Sequence, residues 1–171
     1  TTFYLKYTKL NITIIYINNI THLTTSKTTG KLTYLQDSLL NKIKNNYGYN
    51  ATTNYINSQK DAINLVKNNI LEYNIKCNFE SNSSYIFTDK EQDVSKIATT
   101  AKILSKAKID YKLSKNIPIK YPCKYSLKVN DTAVFNPVKY ILGLKEVLLK
   151  QKNIHIYEKT KAIDMYKDDE F

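Results

Sequence analysis

The segment Lys27-Thr28-Thr29-Gly30-Lys31-Leu32-Thr33 carries the glycine-lysine pair of a phosphate-cradling loop. Such a loop also needs a glycine five positions earlier and a hydroxyl residue directly after the lysine, so that backbone N–H groups wrap the phosphates and the hydroxyl holds magnesium. Thr25 and Leu32 stand at those positions, and the spacing therefore argues against Mg-nucleotide hydrolysis. Thr28 and Thr29 can either satisfy the loop's own backbone or contact a cofactor. His22 and His155 have no acid or nucleophile at helical or strand spacing. Cys77 and Cys123 form no CxxC pair and have no His at metal-ligand spacing, so they read as buried thiols of a reducing cytoplasm, with no metal expected. The sequence names no catalytic residue, no substrate and no oligomeric state.

A net charge of +11 over 171 residues raises the question of nucleic acid. All 26 basic residues are Lys, with no Arg to make the bidentate contacts that read guanine or clamp phosphate, and they are scattered along the chain. This favours a solvated, lysine-rich surface. The sequons Asn11-Ile12-Thr13 and Asn82-Ser83-Ser84 are what a chain rich in Asn and Thr produces by chance. The opening Thr1-Thr2-Phe3-Tyr4 has no basic segment before an apolar one, and no run approaches a membrane span, so a cytoplasmic protein is expected. The chain starts without Met and enters a strand almost at once, as a stretch cut inside a domain would.

The elements that position these residues follow from periodicity. The run 11–17 is short, β-branched and nearly continuous in hydrophobicity, the pattern of a strand buried in a parallel sheet, with residues 3–8 as the tail of a preceding helix. A Thr-rich loop from His22 to Thr33 follows. Helices are predicted over 36–46 and 52–73 with a break at Gly48. A strand pair turning at Ser81-Asn82-Ser83 is predicted over 77–88, then a helix over 91–106 capped by Asp89. Strands are predicted over 109–113 and 125–129. Asn136-Pro137 opens a helix reaching about residue 150, with Asn as N-cap and Pro at the first helical position. Two last strands are predicted near 154–157 and 161–166.

The loop Thr24-Thr25-Ser26-Lys27-Thr28-Thr29-Gly30-Lys31-Leu32-Thr33-Tyr34-Leu35-Gln36 resembles the pattern TTGxTTAKLTxQH, and Phe135-Asn136-Pro137-Val138-Lys139-Tyr140-Ile141-Leu142-Gly143-Leu144 resembles FHPLKYLLGL. Both patterns, in this order and with a strand pair after the second, resemble FAD-dependent oxidoreductases of the glycine/D-amino-acid oxidase-like family. The sequence departs from that family at Tyr16, where Asp or Glu would hold the adenosine ribose, at Asn136, where His precedes the proline, and at Leu35-Gln36 in place of Gln-His.

The resemblance implies an α/β fold: part of a Rossmann-like FAD-binding domain in residues 1–48 and 131–171, interrupted by an α+β substrate-side module in 49–130. It implies FAD as cofactor of the intact protein, a small-molecule amine or amino acid as substrate, and oxidation of its C–N bond. Cofactor contacts would fall on Tyr16, Thr25, Ser26, Thr28, Thr29, Gly30, Lys31 and Ala162. The family's GxGxxG lies on the first strand-helix turn and is not present here, which implies an internal stretch that is inactive and retains no FAD alone. Two other readings stay open: a non-catalytic remnant or interaction module, and a basic RNA-binding protein.

Overall fold

The computed structural model describes residues 7–36 and 38–164. The chain divides into two compact units, one gathering residues 7–29, 69–77 and 136–164, the other residues 30–68 and 78–135.

In the first unit, strand β1 (Ile12–Ile15) runs parallel to a strand formed by Ile154–Tyr157, with Ile12 opposite Ile154 and Ile15 opposite Tyr157. The β-branched run that signalled a strand is thus in a parallel pair, as expected, but it is not buried on both faces: Ile12 and Ile14 are half-buried, and Thr13 and Ile15 are exposed, because the sheet has only two strands. The partner of β1 is the 154–157 segment; where the last strand is predicted, residues 161–164 form no strand, and 165–166 lie outside the described residues. The pair is extended at one end by Ile12 N–H donating to Asn153 O at 2.7 Å, and at the other by Tyr16 N–H donating to Tyr157 O at 2.8 Å. Of the helix tail expected over 3–8, only Tyr7 and Thr8 are described, in a turn.

The same unit holds the helix Pro137–Leu149. Asn136 caps it, its side chain accepting from Lys139 N–H at 3.0 Å, and Pro137 takes the first position, where a missing N–H costs nothing. Gly143 on this helix meets Ile75 closely enough that an added Cβ would lie 2.5 Å from Ile75 Cγ2. Asn69 Nδ2 donates to the Tyr140 hydroxyl at 3.1 Å, a buried pair that gives each of these polar atoms a partner.

The second unit is an antiparallel sheet covered on one face by helices. Its strands are β2 (Lys31–Leu32), β3 (Glu80–Thr88), β4 (Tyr111–Ser114) and β5 (Tyr125–Val134), with β5 in the centre pairing all three others; Ile154–Tyr157 in the first unit is β6. The helices are α1 (Leu39–Glu72, whose last residues belong to the first unit) and α2 (Val94–Lys106), which makes Pro137–Leu149 α3. Gly48 interrupts α1 with φ 79° and ψ −179°, a left-handed position that glycine adopts without a Cβ penalty, so the break read at this residue is real. Leu40, Ile56, Ile97, Leu104, Leu127 and Val129, each no more than 6% exposed, form the centre of the unit's core.

Three local expectations are corrected in this unit. Ser81-Asn82-Ser83 is not a turn between two strands: β3 is one nine-residue strand that absorbs the polar residues as an irregularity between Asn82 and Ser84. There Asn130 and Asp131, the latter at φ 57°, face the single residue Ser83. β5 accordingly continues to Val134 instead of stopping at Val129. Asp89 does not cap the helix; Thr88 Oγ1 accepts from Lys90 N–H at 3.0 Å, and a 3-10 turn over Glu91–Asp93 leads into α2.

Candidate functional site

Open α/β sheets bind ligands outside the carboxyl ends of their parallel strands. β1 and β6 end together, because Ile15 lies opposite Tyr157, and the Thr-rich segment leaves from that shared edge. Tyr16 is the first residue past β1 and is half-buried. Its carbonyl accepts from Thr160 N–H at 3.1 Å, and the Asn18 carbonyl accepts from Lys159 N–H at 3.2 Å, so the chain beyond β1 is tied to the chain beyond β6. A 3-10 turn over Leu23–Lys27 follows.

Glu158, directly after β6, accepts from Ile20 N–H at 2.6 Å and pairs with Lys145 of α3. The Lys145 ammonium first, and the Ile20 amide second, hold its carboxyl below the ordinary carboxylate range. Sequence reasoning sought an acid at the end of β1 and missed this one at the end of the neighbouring strand. The signal was an acidic residue directly after a hydrophobic alternating run. With two donors already on it, Glu158 anchors the 18–22 segment.

The candidate residues fall in both units. Tyr16, Thr25, Ser26, Thr28, Thr29 and Ala162 belong to the first. Thr25 is half-buried in the 3-10 turn, and Ser26, Thr28, Thr29 and Ala162 are exposed. Gly30 and Lys31 belong to the second unit. Gly30 is buried at φ 63° and its carbonyl accepts from Phe135 N–H at 3.0 Å. Lys31 is exposed on β2 opposite Val134, beside a small polar cleft of about 160 Å³ that Thr33, Ser84, Tyr85 and Thr132 also line. His22 and His155 are exposed, Cys77 is buried and Cys123 half-buried.

FAD is tested by what these residues offer. Hydroxyls and a left-handed glycine are present along the loop, but the only three glycines stand at 30, 48 and 143, which leaves no GxGxxG turn for a pyrophosphate. The position expected to bind the ribose holds the phenol of Tyr16, and a phenol cannot accept two hydrogen bonds as a carboxylate does. Glu158 is occupied by Lys145 and Ile20. These residues by themselves therefore do not fit a dinucleotide.

No family model matches the chain. It is 31% identical over 156 residues to YhfW of Bacillus subtilis (strain 168), a protein named for a Rieske 2Fe-2S centre; the match covers 91% of this chain and 30% of YhfW. A Rieske centre takes two Cys and two His, and among the described residues no three His, Cys, Asp or Glu gather as metal ligands. That group does not fit these residues either. Among the described residues no helix is long and apolar enough to cross a membrane.

Solved structures share the fold, among them an oxidase and a deaminase. Glycine oxidase from Bacillus cereus ATCC 14579 superposes with a TM-score of 0.71 at 12% identity, covering 97% of this chain and 44% of the oxidase. L-amino acid deaminase from Proteus vulgaris gives 0.70 at 13%, covering 97% of this chain and 38% of the deaminase. This chain thus spans less than half the length of each of these three proteins, and its fold is the α/β, Rossmann-like arrangement expected from the sequence.

Proposed function

We propose that this chain is an internal part of a flavin-dependent oxidoreductase that oxidises the C–N bond of a small amine or amino acid. The observation that carries the reading is the Thr-rich loop leaving the common carboxyl edge of β1 and β6 in a fold shared with a glycine oxidase and an L-amino acid deaminase. In this reading Tyr16, Thr25, Ser26, Thr28, Thr29, Gly30, Lys31 and Ala162 belong to the cofactor side, and the protein's task is to position a flavin that does the redox chemistry. The pyrophosphate turn would come from residues outside this stretch. The chain alone is then expected to retain no FAD after desalting. The decisive experiment is to read the gene on both sides of the stretch and express the whole frame. A strand-GxGxxG-helix segment upstream, and a purified product with bound flavin reduced by amines or amino acids, are expected. A whole product that purifies without flavin and takes none up sinks the reading.

The likeness to YhfW favours a second feature of the intact protein: an iron-sulfur centre held by residues outside this stretch. Iron and acid-labile sulfide in the whole product, and their absence from this chain, would support it.

A further inference from the structure

The face of the antiparallel sheet opposite the core carries a charge arrangement that the flavin reading does not use. Directly opposite residues of an antiparallel ladder share a face. The register sets Tyr85 opposite Lys128 and Lys128 opposite Lys112, so one row across β3, β5 and β4 reads tyrosine, lysine, lysine. The flanking row on the other face, Ile86 and Leu127, packs into the core, which turns the Tyr85 row away from it.

Like charges directly opposite on neighbouring strands repel and weaken the ladder. Neither lysine forms an ion pair among the described residues, where the ion pairs use Lys96, Lys124 and Lys145. Lys128 is half-buried, with Nζ 5.9 Å from the centre of the Tyr85 ring, a contact that attracts the ammonium without neutralising it. Beyond β4 the chain folds back to make a wall. Ser126, 1% exposed, donates to the carbonyls of Ser114 and Asn116, each at 3.1 Å, and Asn116 N–H donates to Ser114 Oγ at 3.0 Å. Between this pinned turn and the sheet lies a cavity of about 210 Å³ lined by Tyr85, Lys112, Ser114, Asn116, Ile117 and Lys128 among others.

We propose that Lys112, Lys128 and Tyr85 form a binding site for the carboxylate or phosphate group of a small anionic ligand, seated between the sheet face and the 114–118 turn. Two ammonium groups supply charge-assisted hydrogen bonds and the phenol a third donor. The cavity is smaller than the roughly 300–1,000 Å³ of pockets for drug-sized ligands, so it suits a compact anion and not a nucleotide. The site depends only on residues of the antiparallel unit and stands or falls apart from the flavin reading.

The test titrates the 171-residue chain with sodium phosphate and, separately, with sodium acetate at constant ionic strength, following backbone amide shifts by NMR. Saturable shifts centred on Tyr85, Lys112 and Lys128 are expected, and the salt that produces them identifies the head group. Lys112→Gln should weaken the binding about tenfold. In buffer without either anion, the same variant should unfold at higher urea than the unsubstituted chain, since it removes the repulsion. Lys128→Gln should show the same loss of binding, while Lys102→Gln, exposed on α2 and away from this sheet face, should change neither property. Shifts spread evenly over the surface lysines, or a Lys112→Gln chain that matches Lys102→Gln in both measurements, overturn the proposal.

Discussion

Leu40, Ile56, Leu104 and Leu127 of the antiparallel unit are fully buried, whereas the two strands of the parallel unit leave Ile15 48% and Tyr157 52% exposed. The contrast reflects how each sheet type hides its apolar side chains. An antiparallel sheet needs cover on one face, and α1 and α2 supply the residues of that core. Parallel strands are apolar on both faces and want cover on both. A two-stranded pair is also short of ladder partners, so its stability must come from packing elsewhere in the unit. The antiparallel unit therefore concentrates its stability in side-chain burial. The parallel unit buries a smaller set, Ile75, Cys77, Tyr140, Leu148 and Ile154, and adds specific local devices: the Asn136 cap, the Gly143 approach to Ile75, and the Glu158 anchor.

The sharpest way to break this comparison is to truncate one apolar residue in each unit. Leu104→Ala should cost about 2–5 kcal/mol by urea denaturation, while Ile15→Ala, already half in water, should cost less than about 1 kcal/mol. Equal losses would erase the distinction. Gly143→Ala should cost about 1–3 kcal/mol, because the new Cβ lies 2.5 Å from Ile75 Cγ2 and a packed side chain must move. Combining it with Ile75→Ala should recover part of that loss, and additive losses would place the strain elsewhere. Asn136→Ala should cost about 1 kcal/mol through the unsatisfied Lys139 N–H. Hydrogen exchange in the first turn of α3 would show whether the loss is local.

The smallest effects separate the units by pH. Glu158 has a depressed folded-state pKa, so its contribution is complete above the ordinary carboxylate value of about 4.3 and is lost as pH falls through the lower folded value. The Ile20 amide should shift in that acid window, and Glu158→Gln should abolish the transition. Tyr34 of the antiparallel unit donates to the Asn130 carbonyl at 2.9 Å, and burial, reinforced by Asp131 and Asp110, pushes its phenol up to about 12. Its contribution is complete below about 10 and is lost as pH rises through about 12. Alkaline titration of tyrosine absorbance should contain one late component that Tyr34→Phe removes.

Much of the local structure was legible in the residues. Asn136-Pro137 named its own helix start because a side-chain oxygen and a missing N–H act within one turn. Gly48 marked its break because only φ matters there, and Ile12–Ile15 announced a strand by β-branching alone. Where Ser81-Asn82-Ser83 misled, the polar residues had two solutions, a turn or an irregularity in a longer strand. The length of β5 opposite them decided for the second.

The site divides the same way. By itself the sequence determined that a Thr-rich loop follows a buried-type strand, that no GxGxxG is present, and that Tyr16 stands where a carboxylate was expected. Those are properties of contiguous residues. Only the tertiary structure decided that β1 pairs with 154–157, that Lys112 and Lys128 stand side by side, and that Glu158 reaches the Ile20 amide 138 positions away. Strand partners and register depend on closing long stretches of chain around a shared core. That cost and its return are set by the whole fold and leave no mark in any local window.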